Sequence, residues 1–72
     1  MRGNFIYGRL GIKLARARSK CHLSQEEASH RCGIDRTYLS RIETGKVNPS
    51  LKVLCNLCKT LKIRLRNLMR KF

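Results

Sequence analysis

Apolar residues recur every three or four positions along most of the chain, and nowhere do they alternate with period two for long enough to make a strand. Over residues 9–20, Leu10, Leu14 and Ala17 share one side while arginines and lysines occupy the others, which predicts an amphipathic helix. His22 follows at a position suited to a left-handed helix exit. Leu23 then points inward, and Ser24 with Glu27 three residues later reads as a capping box opening a second helix. Ala28 and Cys32 lie one turn apart on that helix, and Gly33 closes it. Ile34 anchors the turn and Asp35 is a suitable N-cap for a third helix over 36–44. There Leu39 and Ile42 face inward, with Arg36, Thr37, Ser40 and Arg41 on the opposite side. Gly45 ends it, residues 46–49 make a loop, and Ser50 caps a fourth helix over 51–61. After a break at Lys62 and Ile63, a fifth helix over 64–72 carries Leu65, Leu68, Met69 and Phe72. The pattern predicts an all-α, five-helix domain over 9–72 preceded by an arm over 1–8, with no linker or internal repeat.

Length and charge narrow the partners. The chain has 72 residues, 17 of them Lys or Arg and 4 Asp or Glu, for a net charge of +13. One domain fits this length and the large α/β enzyme scaffolds do not. A core of this size supplies only about 3–5 kcal/mol, so a staple or a partner subunit is expected. A folded chain with so lopsided a charge points to a polyanion, nucleic acid before an anionic membrane. No apolar run approaches a membrane span, and the first residues lack the apolar core of a signal peptide, so the expected compartment is the cytoplasm.

Four cysteines raise the question of a staple. Cys55 and Cys58 have C-x-x-C spacing, and His22 and His30 are further candidate ligands for zinc. Against this, Cys58 is in phase with Leu51, Leu54, Leu57 and Leu61, and Cys32 occupies a core position of the second helix. Both read as small buried hydrophobes, and no metal or other cofactor is expected. The carboxylates offer no catalytic pair: Glu26, Glu27 and Asp35 sit at caps or helix starts, and no glycine-rich phosphate loop exists. The chain does not read as an enzyme, and no small-molecule substrate is evident.

Residues 24–44 carry the function: two short helices joined at Gly33, the second presenting small polar and basic side chains. This is the physical description of a helix-turn-helix reader of the DNA major groove. Arg36, in the first turn of the third helix, is placed to bond guanine O6 and N7, and Arg41 flanks the same face. Residues 10 to about 68 resemble the lambda-repressor-like helix-turn-helix family, the Cro or XRE type. The resemblance rests on Leu23-Ser24-Gln25-Glu26-Glu27, Cys32-Gly33-Ile34, Ile42-Glu43-x-Gly45-Lys46 and Asn48-Pro49-Ser50-Leu51. The segment from Asp35 to Glu43 is in turn similar to the controller proteins of restriction–modification systems. The resemblance implies base contacts from Arg36, Thr37, Ser40 and Arg41, and backbone contacts from Gln25, Tyr38, Thr44, Lys46 and Asn48. It also implies a structural ion pair between Arg18 and Glu43.

The chain departs from the family pattern at Ala17, Ala28 and Ser29, which are smaller or more polar than usual, so Phe5, Ile6 or Tyr7 is expected to fold back and fill the core. The fifth helix is basic where the family often carries acids, and its apolar residues Leu65, Leu68, Met69 and Phe72 are candidates for a dimer interface. The overall reading is a sequence-specific DNA-binding transcription regulator, dimeric on a near-palindromic operator. Within it, controller protein, prophage repressor and antitoxin stay open. A zinc-stapled basic module and a cationic membrane-active peptide are the alternatives from other classes.

Overall fold

The computed structural model describes residues 2–70, with side chains from Phe5 onward. Five helices follow one another: α1 (Arg2–Lys20), α2 (Gln25–Cys32), α3 (Arg36–Glu43), α4 (Leu51–Leu61) and α5 (Leu65–Leu68). Among the described residues there is no strand. The long α1 packs against α3, α4 and α5, while α2 packs against α3 and α4. Leu14, Leu39, Ile42, Leu57 and Leu68 are the largest fully buried side chains and meet at the centre. All the inward positions anticipated on the first four helices, from Leu10 to Leu61, lie in this core except Leu51.

The helix ends follow local chemistry closely. Ser24 Oγ accepts from the Glu27 N–H at 3.0 Å while the Ser24 N–H donates to Glu27 Oε1 at 2.8 Å, a complete capping box. Ser50 Oγ accepts from the Val53 N–H, whereas Asp35 precedes α3 without a side-chain cap bond. At their C-terminal ends the first four helices share one device, an N–H that reaches back five residues to close the last turn. Leu23 bonds to Arg18, Ile34 to Ser29, Lys46 to Arg41 and Ile63 to Cys58. Each closure needs a left-handed residue, and these are His22, Gly33, Gly45 and Lys62. Lys62 was read from sequence only as part of a break; the break is a left-handed helix exit at φ 58°.

Three expectations need correction. The segment foreseen as an arm over 1–8 is helical over its described residues, since α1 runs without interruption from Arg2. Of Phe5, Ile6 and Tyr7, the first two do not fill the core: they are exposed on α1, with the Arg9 guanidinium over the Phe5 ring at 5.3 Å, while Tyr7 is half-buried. Ala17, Ala28 and Ser29 are themselves buried, and the Ser29 hydroxyl donates to the Glu26 carbonyl. The fifth helix is a single turn rather than nine residues. Its Leu68 is fully buried, which removes it from any surface between copies. Leu65 is half-buried against the core, Met69 is exposed, and Phe72 lies outside the described residues.

Glycine sets how closely α1 approaches α3. A Cβ on Gly11 would sit 2.4 Å from the Ile42 carbonyl oxygen and 2.5 Å from that of Glu43, backbone atoms that cannot rotate away. Beyond α3, Gly45 has φ 76° and a Cβ there would lie 2.7 Å from Gly8 Cα. Gly8 itself has open space where a Cβ would stand. Gly11→Ala is therefore expected to destabilise by about 1–3 kcal/mol through overpacking. Gly8→Ala should instead stabilise by up to about 1 kcal/mol through helix propensity, and urea unfolding of the two variants checks the contrast.

The capping box adds a pH dependence. Hydrogen bonds from the Ser24 backbone, then from its side chain, hold the Glu27 carboxyl below its usual range. A depressed carboxylate contributes stability that is present above its unfolded-state value and lost as pH falls through the folded one. On acidification the wild type should lose more stability across the carboxylate range than Glu27→Gln, as followed by thermal melts; parallel pH profiles would refute this.

Candidate nucleic-acid interface

The turn between α2 and α3 gains its geometry from one buried carboxylate. The Glu43 side chain is only 5% exposed and lies at the last turn of α3. The Arg18 Nε donates to its Oε2 at 2.8 Å and the Arg18 Nη2 to its Oε1 at 3.0 Å, a bidentate pair. The third arm of the guanidinium, Nη1, donates to the Leu23 carbonyl at 2.8 Å, the residue just before the capping box. Gln25 Nε2 also donates to Glu43 Oε1, at 2.9 Å. One carboxylate thus joins α1, the loop before α2, the first residue of α2, and α3. The hydrogen bond to Glu43 raises the Arg18 pKa further above its already high value, so this cation stays charged at any working pH.

The expected ion pair is therefore present, but its link to Gln25 was not anticipated. Gln25 was expected to face a phosphate from the start of α2. In the structure it is half-buried and borders a shallow cleft of about 180 Å³ together with Arg36, Thr37 and Ser40. One amide hydrogen goes to Glu43, which fixes the side chain and leaves the second N–H available beside α3. Arg36, Thr37 and Arg41 are exposed and Ser40 is half-buried, so the four residues expected to meet bases share the outward side of α3. Opposite them Leu39 and Ile42 are buried.

The remaining predicted positions divide. Lys46 and Asn48 are exposed in the loop after α3. Tyr38 is half-buried and packs against the core, so only part of its ring is available. The Thr44 hydroxyl turns back to the Ser40 and Arg41 carbonyls, at 3.0 and 3.3 Å, and is occupied within its own helix end. Gly11 escaped the sequence reading. The signal was there, because a glycine inside an amphipathic helix costs roughly 1 kcal/mol and needs a packing reason.

Two of the four cysteines serve packing, and Cys55 is exposed. Cys32 and Cys58 are buried, and Cys32 Sγ donates to Thr60 Oγ1 at 3.1 Å, tying α2 to α4. Burial, and then the neighbouring Cys55, push the Cys58 thiol up, away from the thiolate that a metal requires. Among the described residues no three His, Cys, Asp or Glu side chains come together, and no helix is long and apolar enough to cross a membrane.

A protein-family model described as helix-turn-helix matches residues 12–68. The chain belongs to the helix-turn-helix family, of the Cro/XRE type. Members of this family are DNA-binding transcription regulators, and relatives of this chain include restriction–modification controller proteins. It is 44% identical over 66 residues to the control protein C.MunI of a Mycoplasma species, covering 90% of this chain and 89% of that one. It is 37% identical over 57 residues to the ImmF control region 10 kDa protein of Bacillus phage phi105, covering 79% of this chain but 63% of the phage protein. The crystal structure of the restriction–modification controller protein C.AhdI from Aeromonas hydrophila superposes with a TM-score of 0.84 at 33% identity. That match covers 88% of this chain and 96% of the other.

The helix-turn-helix depends on Glu43, and its removal should be costly. Glu43→Gln leaves Arg18 facing a neutral amide in a largely desolvated place and is expected to cost about 2–3 kcal/mol. Adding Arg18→Met should recover part of that loss, because the stranded charge is gone. Chemical denaturation of the single and double variants tests this, and a double variant that is less stable than Glu43→Gln would count against the interpretation.

Proposed function

We propose that this helix-turn-helix protein is a sequence-specific transcription regulator that places α3 in the DNA major groove. The observation that carries the reading is the outward side of α3. Arg36, Thr37, Ser40 and Arg41 stand there, and the single carboxylate of that helix, Glu43, is turned inward and neutralised by Arg18. A surface that enters a groove lined by phosphates must expose donors and keep acids off its reading side; within α3 the one acid is hidden, and the exposed Asp35 stands before the helix at its N-cap. Arg36 bonds a guanine in bidentate fashion, while Thr37, Ser40 and Arg41 read neighbouring base edges. Gln25 gives its free amide hydrogen to a phosphate, with the N-terminal amides of α2 beside it. Lys46 and Asn48 hold the backbone on the far side of α3 and fix register without reading sequence.

Two copies act together on a near-palindromic operator with half-sites about 34 Å apart. The exposed Met69 and half-buried Leu65 supply apolar surface for the pairing; Leu68 does not take part. Of the regulator types, a restriction–modification controller is favoured. The support is the match to C.MunI, which spans nearly the whole of both chains. The membrane-active alternative would need one continuous amphipathic face, whereas this chain is divided into five helices that bury their apolar sides in a shared core.

Base and backbone contacts should separate in binding assays. Arg36→Ala is expected to cost about 1–3 kcal/mol on operator DNA and to relax preference at one base pair, with little change on random duplex. Lys46→Ala should weaken both duplexes alike and reduce the salt slope by about one. Equal losses on operator and random DNA for Arg36→Ala would overturn its assignment as a base reader.

A further inference from the structure

Three of the four acidic residues are explained by the fold. Glu27 closes the capping box with Ser24, Glu43 pairs with Arg18, and Glu26 lies in the first turn of α2, where the positive end of the helix favours it. Asp35 differs. It occupies the N-cap of α3 with φ −68° and ψ 144°, the backbone of a capping residue, yet its side chain accepts from no helix amide. It is exposed and, among the described residues, its carboxylate has neither an ion pair nor a hydrogen bond. Arg36 follows directly and opens α3, bordering the cleft with Gln25, Thr37 and Ser40. Consecutive Cα atoms stand about 3.8 Å apart and successive bases about 3.4 Å, so side chains at 35 and 36 reach the same or neighbouring base pairs.

We infer that Asp35 is a specificity-determining residue, whose carboxylate accepts the N4 amino hydrogen of a cytosine adjoining the guanine that Arg36 holds. The inference rests on α3 entering the major groove, where the N-terminal residues of such a helix approach the base edges. A carboxylate at that end is repelled by phosphates, and a neutral serine or asparagine would serve as N-cap without this cost. The charge is offset there only by a base that donates. Guanine presents O6 and N7 and thymine presents O4, all acceptors that repel a carboxylate. Adenine sets its N6 amino group beside the acceptor N7, whereas cytosine presents its N4 amino group with no acceptor on the same base. The acceptors of the adjoining guanine are those that the Arg36 guanidinium covers. Asp35 and Arg36 therefore form an acceptor–donor pair matched to the two bases of G·C pairs, and Asp35 acts by excluding guanine and thymine as much as by attracting cytosine.

Selection of bound duplexes from a random pool with the full chain and with Asp35→Asn tests this, because asparagine keeps a capping side chain and removes the charge. The wild type is expected to favour cytosine about tenfold over guanine or thymine at one position, beside the guanine whose preference Arg36→Ala relaxes. Asp35→Asn should flatten that position and leave the others, while binding random duplex about threefold more tightly. Asp35→Ser should do the same. In the selected duplex, N4-methylcytosine keeps the base pair and replaces the groove-facing amino hydrogen by a methyl. It should weaken the wild type about tenfold and Asp35→Asn far less. A motif identical at every position for wild type and Asp35→Asn would overturn the inference and leave the reading by α3 intact, whereas a pool without any motif would overturn that reading and the inference with it. Equal losses on N4-methylcytosine in both proteins would also refute it. So would a lowered melting temperature with equal losses on all duplexes, which returns Asp35 to a capping role.

Discussion

The buried carboxylate of Glu43 is the constraint on which the rest of the molecule depends. It stands 18 residues after Gln25 and 25 after Arg18, and accepts from both. A carboxylate so far removed from water is tolerated only when its charge is paired and its lone pairs are filled. Arg18 supplies the pairing and, through Leu23, also fixes the chain just before α2. The angle between α2 and α3 is thus tied to α1 by hydrogen bonds with fixed geometry, and hydrophobic contact alone would allow more slack. The glycines complete the arrangement. Gly11 lets α1 lie against the last carbonyls of α3, where the carboxylate is presented, and Gly45 turns the chain away beside Gly8.

This arrangement links structure to recognition. A protein can discriminate one base from another only if the donors it presents are held in place before binding. Gln25 and the outward side of α3 border the same cleft, and Glu43, on the same helix but turned inward, holds Gln25 by a hydrogen bond. The basic excess is distributed unevenly around this reader. Acids are confined to the helix-turn-helix, where Glu27 caps α2 and Glu43 pairs with Arg18, while the charged residues of the other three helices are all basic. On a chain of +13, that leaves a strong attraction for any polyanion, and selectivity must come from the few side chains with fixed positions.

Much of this was legible in the sequence because it rests on local rules. The capping box at Ser24, the left-handed exits at His22 and Gly33, and the Ser50 cap each depend on a few neighbouring residues, and each is present in the structure. The inward stripe of the first four helices followed from periodicity and fails only at Leu51, which is exposed in the first turn of α4. What escaped depends on distant parts of the chain meeting. The Gln25–Glu43 bond and the Gly11 crossing have no local signature beyond a costly glycine in a helix. The ends were misread for a related reason. Apolar residues near a terminus are read as filler or interface by composition, yet Leu68 is in the core while Phe5 is in solvent, and only the path of α1 past α5 decides between them.

The central claim is that a rigid α3 reads sequence, beyond the general attraction of the charge. Selection of bound duplexes from a random pool, at an ionic strength high enough to suppress backbone-only binding, tests it most directly. Enrichment of a near-palindrome with half-sites one helical turn apart is the expected result. A pool that stays random after successive rounds, despite tight binding at low salt, would leave only a basic protein that binds polyanions and would overturn the claim.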